Sequence, residues 1–259
     1  MPTVGVGHLA RPDPSDTHVD LGATFAMVIG AQGSGKTTGA VPRLVLPHLR
    51  DTGPAIIFSP NPRDVASYTN LAQLGQCSLH VVNGEADCSE FFLAEKLAES
   101  RRSVVLVDRG WSRSPDFADT VFAACNRTAA LGVRPMLVCD DAHCILTPAR
   151  CDRIDRLGRS GVRIVLVVTH PTFPVDVTQN VDTFIFCRIK KALLGARLCS
   201  QLDGIDTDGL GARTTRSRGS TEVAILQAAF RQQDRTCFHP AFVQTVRSSQ
   251  VDLSATVPQ

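Results

Sequence analysis

Seven short apolar runs constrain the fold of this chain more than any other feature. They are "TFAMVI" (24–29), "AIIFS" (55–59), "SLHVV" (78–82), "SVVLVD" (103–108), "MLVCD" (136–140), "RIVLVV" (163–168) and "TFIFC" (183–187). Each is rich in β-branched residues and continuously apolar, whereas a strand with one wet face alternates; this is how strands buried on both faces read. Between the runs lie segments with helical spacing. "DVASYTNLAQLG" ends in a glycine stop, "SEFFLAEKLAES" opens on a serine cap, and "PDFADTVFAACNRTAALG" has a proline start and a glycine stop. Strand–helix alternation of this kind predicts an α/β fold: a mostly parallel sheet with helices on both faces. The 259 residues suffice for one large domain with modest appendages. Ligands of such sheets sit beyond the carboxyl ends of the strands, so chemistry-bearing residues are expected there.

The first run leads directly into Gly30-Ala31-Gln32-Gly33-Ser34-Gly35-Lys36-Thr37, which fits G-x-x-x-x-G-K-[ST] at every constrained position. Strand before and helix after are the context the motif requires. Glycines let the backbone fold into a concave nest of N–H donors, with no Cβ to hold phosphate away. The helix that follows adds the positive end of its dipole. The loop, with Thr38 beyond it, is the expected binding site for a nucleoside triphosphate, ATP. Lys36 is expected to reach the β- and γ-phosphates, and the Thr37 hydroxyl to ligate Mg²⁺. Pro42 and Pro47 fall in the helix after the loop, where they should kink or shorten it.

A triphosphate loop needs a carboxylate at a neighbouring strand end. "MLVCDDAH" offers Asp140 followed by Asp141, and "SVVLVDRG" offers Asp108. Paired acids divide the labour: Asp140 holds the metal, and Asp141 polarises the attacking water as general base. Asp108 is followed by Arg109 and lacks an acidic neighbour, which makes it the weaker candidate.

Composition narrows the classes. The net charge of +2 announces no nucleic-acid partner by itself, so any basic surface must be local. One such stretch runs from 188 to 218. It sets Arg188, Lys190, Lys191, Arg197, Arg213, Arg216 and Arg218 against Asp203, Asp206 and Asp208, a local excess of four positive charges. "GLGARTTRSRGS" within it is apolar-poor and rich in glycine and hydroxyls, as a phosphate-contacting loop would be. Trp111 and Tyr68, the single tryptophan and tyrosine, make no base-stacking platform, so tracking of a duplex backbone fits better than single-strand readout. The start of the chain has no cationic segment followed by an apolar one, and no run of about 18 apolar residues occurs. Neither a signal peptide nor a membrane-spanning helix is therefore expected. Nine scattered cysteines without a C-x-x-C pair read as buried hydrophobes in a reducing, cytoplasmic compartment.

The order of these pieces resembles the HerA–FtsK superfamily of DNA-pumping ATPases, over roughly residues 20 to 230. "GPAIIFSPNPRDVASYTNLAQLGQCSLHVVN" looks like that family's second strand, proline-containing turn, helix and third strand. "VRPMLVCDDAH" resembles its acidic strand, "RLGRSGVRIVLVVTHPTFP" its basic helix end, strand and polar sensor, and "NVDTFIFCRI" the strand that follows. The resemblance implies a RecA-like P-loop NTPase domain over 21–230, flanked by an N-terminal extension (1–20) and a C-terminal one (231–259). It further implies ATP and Mg²⁺ as cofactors, a ring homo-oligomer such as a hexamer, and double-stranded DNA as partner. Within the superfamily, the compact size and lack of a membrane anchor are similar to the genome-packaging ATPases of membrane-containing tailless icosahedral viruses. That branch would bring capsid-vertex or viral-membrane partners and a place at the packaging vertex. By the same resemblance, His170 takes the sensor position, with Thr169 beside it. Arg159 and Arg188 are candidates for an arginine supplied in trans to the neighbouring site. Asp141 stands where the family usually has glutamate, and His170 where glutamine is commoner. Two other classes use the same loop: a nucleotide-binding assembly switch that does not pump, and a small-molecule kinase.

Overall fold

A computed structural model describes residues 24–59, 64–82, 89–100, 102–107, 117–169, 180–187, 216–217, 220–232 and 235–249. Its elements run β1 (Phe25–Gly30), α1 (Val41–Asp51), β2 (Ala55–Phe58), α2 (Asp64–Leu74), β3 (Ser78–Val82), α3 (Glu90–Glu99), β4 (Ser103–Val107) and α4 (Phe117–Ala130). They continue with β5 (Met136–Cys139), α5 (Pro148–Arg159), β6 (Arg163–Val168), β7 (Thr183–Cys187), β8 (Arg216–Ser217), β9 (Ser220–Gln232) and β10 (Arg235–Ser249). All seven apolar runs are strands. They form one sheet in the order β10-β9-β7-β1-β6-β5-β2-β4-β3, with β1 to β7 mutually parallel and β8 to β10 antiparallel at one edge.

The continuous apolar spelling has a direct structural cause. Phe25, Met27 and Ile29 of β1 pack with the inward residues of α3, α4 and α5, while Ala26 and Val28 pack with α1 and α2 on the other face. Successive residues of a strand point to opposite faces, so a strand covered twice must be apolar at every position. Met27 and Ile29 are fully buried, and each such side chain contributes about 1.5–3 kcal/mol. β3 departs from the expectation of two-sided burial. It is the edge strand among the described residues, and Val81 within it is exposed.

Local signals set the helix ends. The Ser89 hydroxyl accepts from the Phe92 amide at 3.1 Å and opens α3, and Gly132, at φ 79°, follows the last turn of α4. The segment after the phosphate loop is more unusual. Residues Lys36–Ala40 form a π-helical turn, with the Ala40 N–H donating to the Gly35 carbonyl at 3.2 Å, before α1 proper begins. Pro42 therefore sits in the first turn of α1, where its missing N–H costs little. Pro47 lies inside α1 and does not end it. Val41, Leu44, Val45 and Leu49 are buried in the core, and that packing outweighs a proline cost of about 3 kcal/mol.

At the amino ends of the strands, the Asp182 Oδ2 accepts from the Thr24 amide (2.9 Å), the Thr24 hydroxyl (2.7 Å) and the Phe25 amide (3.1 Å). This clamp pins the start of β1 to the start of β7. The boundary expected at residue 230 falls inside β9, and residues 235–249 join the same sheet as β10. Strand pairing carries the sheet past the expected end of the domain.

Candidate nucleotide-binding site

The strand order brings the site together. β1 delivers the phosphate loop, β6 lies beside it, and β5 is the next strand over. The ends of β1 and β5 are thus about 10 Å apart, two strand spacings. β4, which precedes Asp108, is four strands from β1, too far for its end to meet the loop; Asp108 itself lies outside the described residues.

Gly30 closes β1 where no side chain fits. A Cβ there would lie 2.2 Å from the Cys187 carbonyl oxygen and 2.4 Å from the Ser34 Oγ. The loop then folds back, the Ser34 amide donating to the Ala31 carbonyl at 3.1 Å. Gly33 (φ 71°) and Gly35 (φ 89°) take left-handed conformations that glycine adopts without strain. Gln32 and Gly33 are exposed at the loop tip, while Ser34, Gly35 and Lys36 are buried and Thr37 and Thr38 half-buried. The Lys36 amine donates to the carbonyls of Gly30 (2.9 Å) and Ala31 (3.1 Å). It thus folds over the loop on neutral acceptors that a phosphate oxygen would outcompete by charge.

Asp140 follows β5, anchored by its amide to the Phe58 carbonyl at 2.8 Å, and its side chain is 2% exposed. Its Oδ2 accepts from the Thr37 hydroxyl at 2.9 Å and from the Tyr68 hydroxyl at 2.6 Å; its Oδ1 accepts from the Asp141 amide at 3.0 Å. Burial pushes the Asp140 carboxyl above the usual carboxylate range, while the hydrogen bonds from Tyr68 and Thr37 pull the other way. The next residue, Asp141, is left-handed at φ 48° and ψ 45°. Aspartate tolerates that region better than most residues, and the turn leaves its Oδ1 accepting from the Thr169 hydroxyl, at the end of β6, at 3.3 Å.

The donors suit magnesium. A hydroxyl and a carboxylate stand 2.9 Å apart beside a glycine cradle, both hard oxygen ligands. Among the described residues no group of three or more His, Cys, Asp or Glu could hold a metal alone.

Lys36, Thr37, Asp140, Asp141 and Thr169 therefore meet at one rim. Arg159 does not join them. It ends α5, just before β6 begins at the amino end of the strands, is 76% exposed, and pairs with Asp155 at 2.6 Å. His170 and Arg188 lie outside the described residues, directly after Thr169 and Cys187. Tyr68 was not expected. Its signal was the spacing Val65, Tyr68, Leu71, Ala72, which turns it toward the core of α2, where a hydroxyl must find a partner. Of the described cysteines, Cys125, Cys139, Cys151 and Cys187 are buried free thiols, Cys139 and Cys187 within the apolar runs that suggested it; Cys77 is half-buried and Cys144 exposed, against the reading of all as buried.

No protein-family model and no curated protein matches the chain. Solved structures do. The genome-packaging NTPase B204 of Sulfolobus turreted icosahedral virus 2 in complex with AMPPCP superposes with a TM-score of 0.55 at 13% identity, over 86% of this chain and 96% of that one. Its complex with ATPγS gives 0.53 at 12% identity over the same shares. The DNA-packaging ATPase B204 of Sulfolobus turreted icosahedral virus gives 0.51 at 16%, over 79% and 92%. At these identities the likeness shows the fold alone: an α/β P-loop NTPase sheet, as the alternation of strands and helices around the glycine loop implied.

Proposed function

We propose that the chain is an ATP-hydrolysing motor that moves double-stranded DNA, acting as a ring of identical copies, and that its task is to package a viral genome. The observation that carries this reading is the meeting of phosphate loop, acidic pair and Thr169 at the carboxyl rim of the sheet. Among the solved structures that share its fold are a genome-packaging NTPase and a DNA-packaging ATPase by name.

The residues divide the work as follows. The loop amides of Ala31 to Thr38 and the helix end receive the phosphates, and the Lys36 amine leaves the Gly30 and Ala31 carbonyls for the β- and γ-phosphates. Thr37 and Asp140 would hold Mg²⁺, which when bound neutralises phosphate charge. Asp141, held by the Thr169 hydroxyl, takes the proton of the attacking water. Its side chain is one methylene shorter than glutamate, so water must come closer to the strand end. His170 would sense the γ-phosphate. An arginine from the neighbouring copy, Arg159 or Arg188, would complete the charge; the exposure of Arg159 suits delivery to another subunit rather than to its own.

The placement of the basic stretch supports a DNA contact. The end of β7 pairs with Ala224 of β9, so residues 220–223, with Arg216 and Ser217 paired to Thr221 and Ser220, continue past the nucleotide rim. Arg216 and Ser217 belong to the basic stretch 188–218. The test is displacement of a triplex-forming strand from linear duplex DNA. ATP-dependent displacement that Lys36→Ala abolishes is expected; ATP turnover by a stable monomer, indifferent to DNA, would refute the motor and leave a nucleotide switch.

A further inference from the structure

We propose that Tyr68 is a positioning residue for the metal-side carboxylate: its hydroxyl fixes the orientation in which Asp140 receives Mg²⁺ with the nucleotide. The inference rests on the nucleotide-site reading above.

Three donors hold Asp140, and they are not equivalent. Thr37 belongs to the turn that changes partners when its hydroxyl oxygen goes to a cation. The Asp141 amide comes from the adjacent residue and follows any movement of it. Tyr68 comes from α2, a separate helix with Tyr68, Leu71 and Ala72 all packed in the core, and its hydroxyl reaches Oδ2 at 2.6 Å across 72 residues of chain. It is thus the donor whose position owes nothing to the loop or to the acidic turn. A carboxylate has about four lone-pair sites; with the three protein donors in place one remains for a metal-bound water. Removing the tyrosine hydroxyl frees the carboxylate to rotate in a buried site, and loss of such outer partners costs about 10–100-fold in metal affinity.

A tyrosine that merely fills the core would affect melting but not metal dependence. The test is equilibrium binding of a fluorescent, non-hydrolysable ATP analogue across Mg²⁺ concentrations, for wild type and Tyr68→Phe. Expected is unchanged affinity without Mg²⁺, within about twofold, and a rise of about tenfold or more in the Mg²⁺ concentration that gives half the enhancement. Identical Mg²⁺ dependence overturns the proposal. Absence of binding by the wild type, with or without Mg²⁺, overturns the nucleotide site itself and is distinguishable from that result. Should Tyr68→Phe fail to fold, the wild type still decides. Tyr68 is the single tyrosine, so 3-fluorotyrosine labels it alone. Its ¹⁹F resonance should shift when Mg²⁺ joins the bound analogue, and should not in Asp140→Asn; a resonance blind to Mg²⁺ in the wild type also overturns the proposal.

Discussion

Replacing Gly30 with alanine tests the geometry of the cradle by adding one methyl group. The new Cβ would stand 2.2 Å from the Cys187 carbonyl oxygen, 2.4 Å from the Ser34 Oγ and 2.9 Å from the Cys187 Cβ. Against an ordinary contact of about 3.5 Å, the strands must part by about 1 Å. Ser34 can rotate away, but the carbonyl cannot, because β1 is paired with both β6 and β7, and β7 with β9. Overpacking of this kind costs about 1–3 kcal/mol, and a clash with backbone belongs at the upper end. For a domain of this size each kcal/mol moves the midpoint by about 2–4 °C, so Gly30→Ala should melt about 6–12 °C lower in scanning calorimetry. Gly158→Ala is the control. Its Cβ would meet only the Ile164 Cδ1, at 3.7 Å, inside α5, and it should stabilise by about 0.5–1 kcal/mol. A Gly30→Ala protein that melts within about 2 °C of the wild type would refute the close approach of β1 to β7.

His48 should make stability depend on pH. Burial, and then the charge of Arg163, push its imidazole down to about 4, while it shares a hydrogen bond with the Pro54 carbonyl at 3.1 Å. Its folded value lies below the unfolded one of about 6.5, so its contribution is complete above that pH and is lost as pH falls toward 4, by about 3 kcal/mol at most. Urea unfolding of His48→Gln should lack this part of the slope; equal slopes in both proteins would contradict it. Asp141→Asn keeps a side chain that tolerates the left-handed turn, so it should fold and bind analogue as before while ATP turnover drops about a hundredfold or more. Undiminished turnover would remove Asp141 from the role of base. Asp182→Ala unties three donors and should cost about 1–3 kcal/mol by denaturant titration, with nucleotide affinity unchanged because the clamp lies at the amino ends of β1 and β7, away from the carboxyl rim.

The parts of this fold that were legible in the sequence are those whose cause is local. Continuous apolar runs marked the strands because covering a sheet twice leaves no polar position, and the loop was readable because phosphate demands glycine at fixed spacing. Asp140 is preferred over Asp108 in the sequence for its acidic neighbour, and the strand order sets β5 two strands from the phosphate loop and β4 four. What escaped depends on contacts between distant residues. The exposure of Val81 follows from the edge position of β3, which no pattern within "SLHVV" encodes. Tyr68 stood in the sequence only as the single tyrosine, yet it meets Asp140 because α2 packs against β4 and β3 and against the turn that follows the phosphate loop. The prolines of α1 looked like breakers because the π-helical turn before them is set by the loop, not by their own neighbours.

The central claim is that Lys36 and Asp140 serve one nucleotide whose hydrolysis DNA accelerates. Steady-state phosphate release, measured with and without linear duplex DNA, tests it most directly. The expected result is Mg²⁺-dependent turnover that rises with duplex DNA and disappears in both Lys36→Ala and Asp140→Asn. Turnover that persists in either variant, or that duplex DNA leaves unchanged, would contradict it.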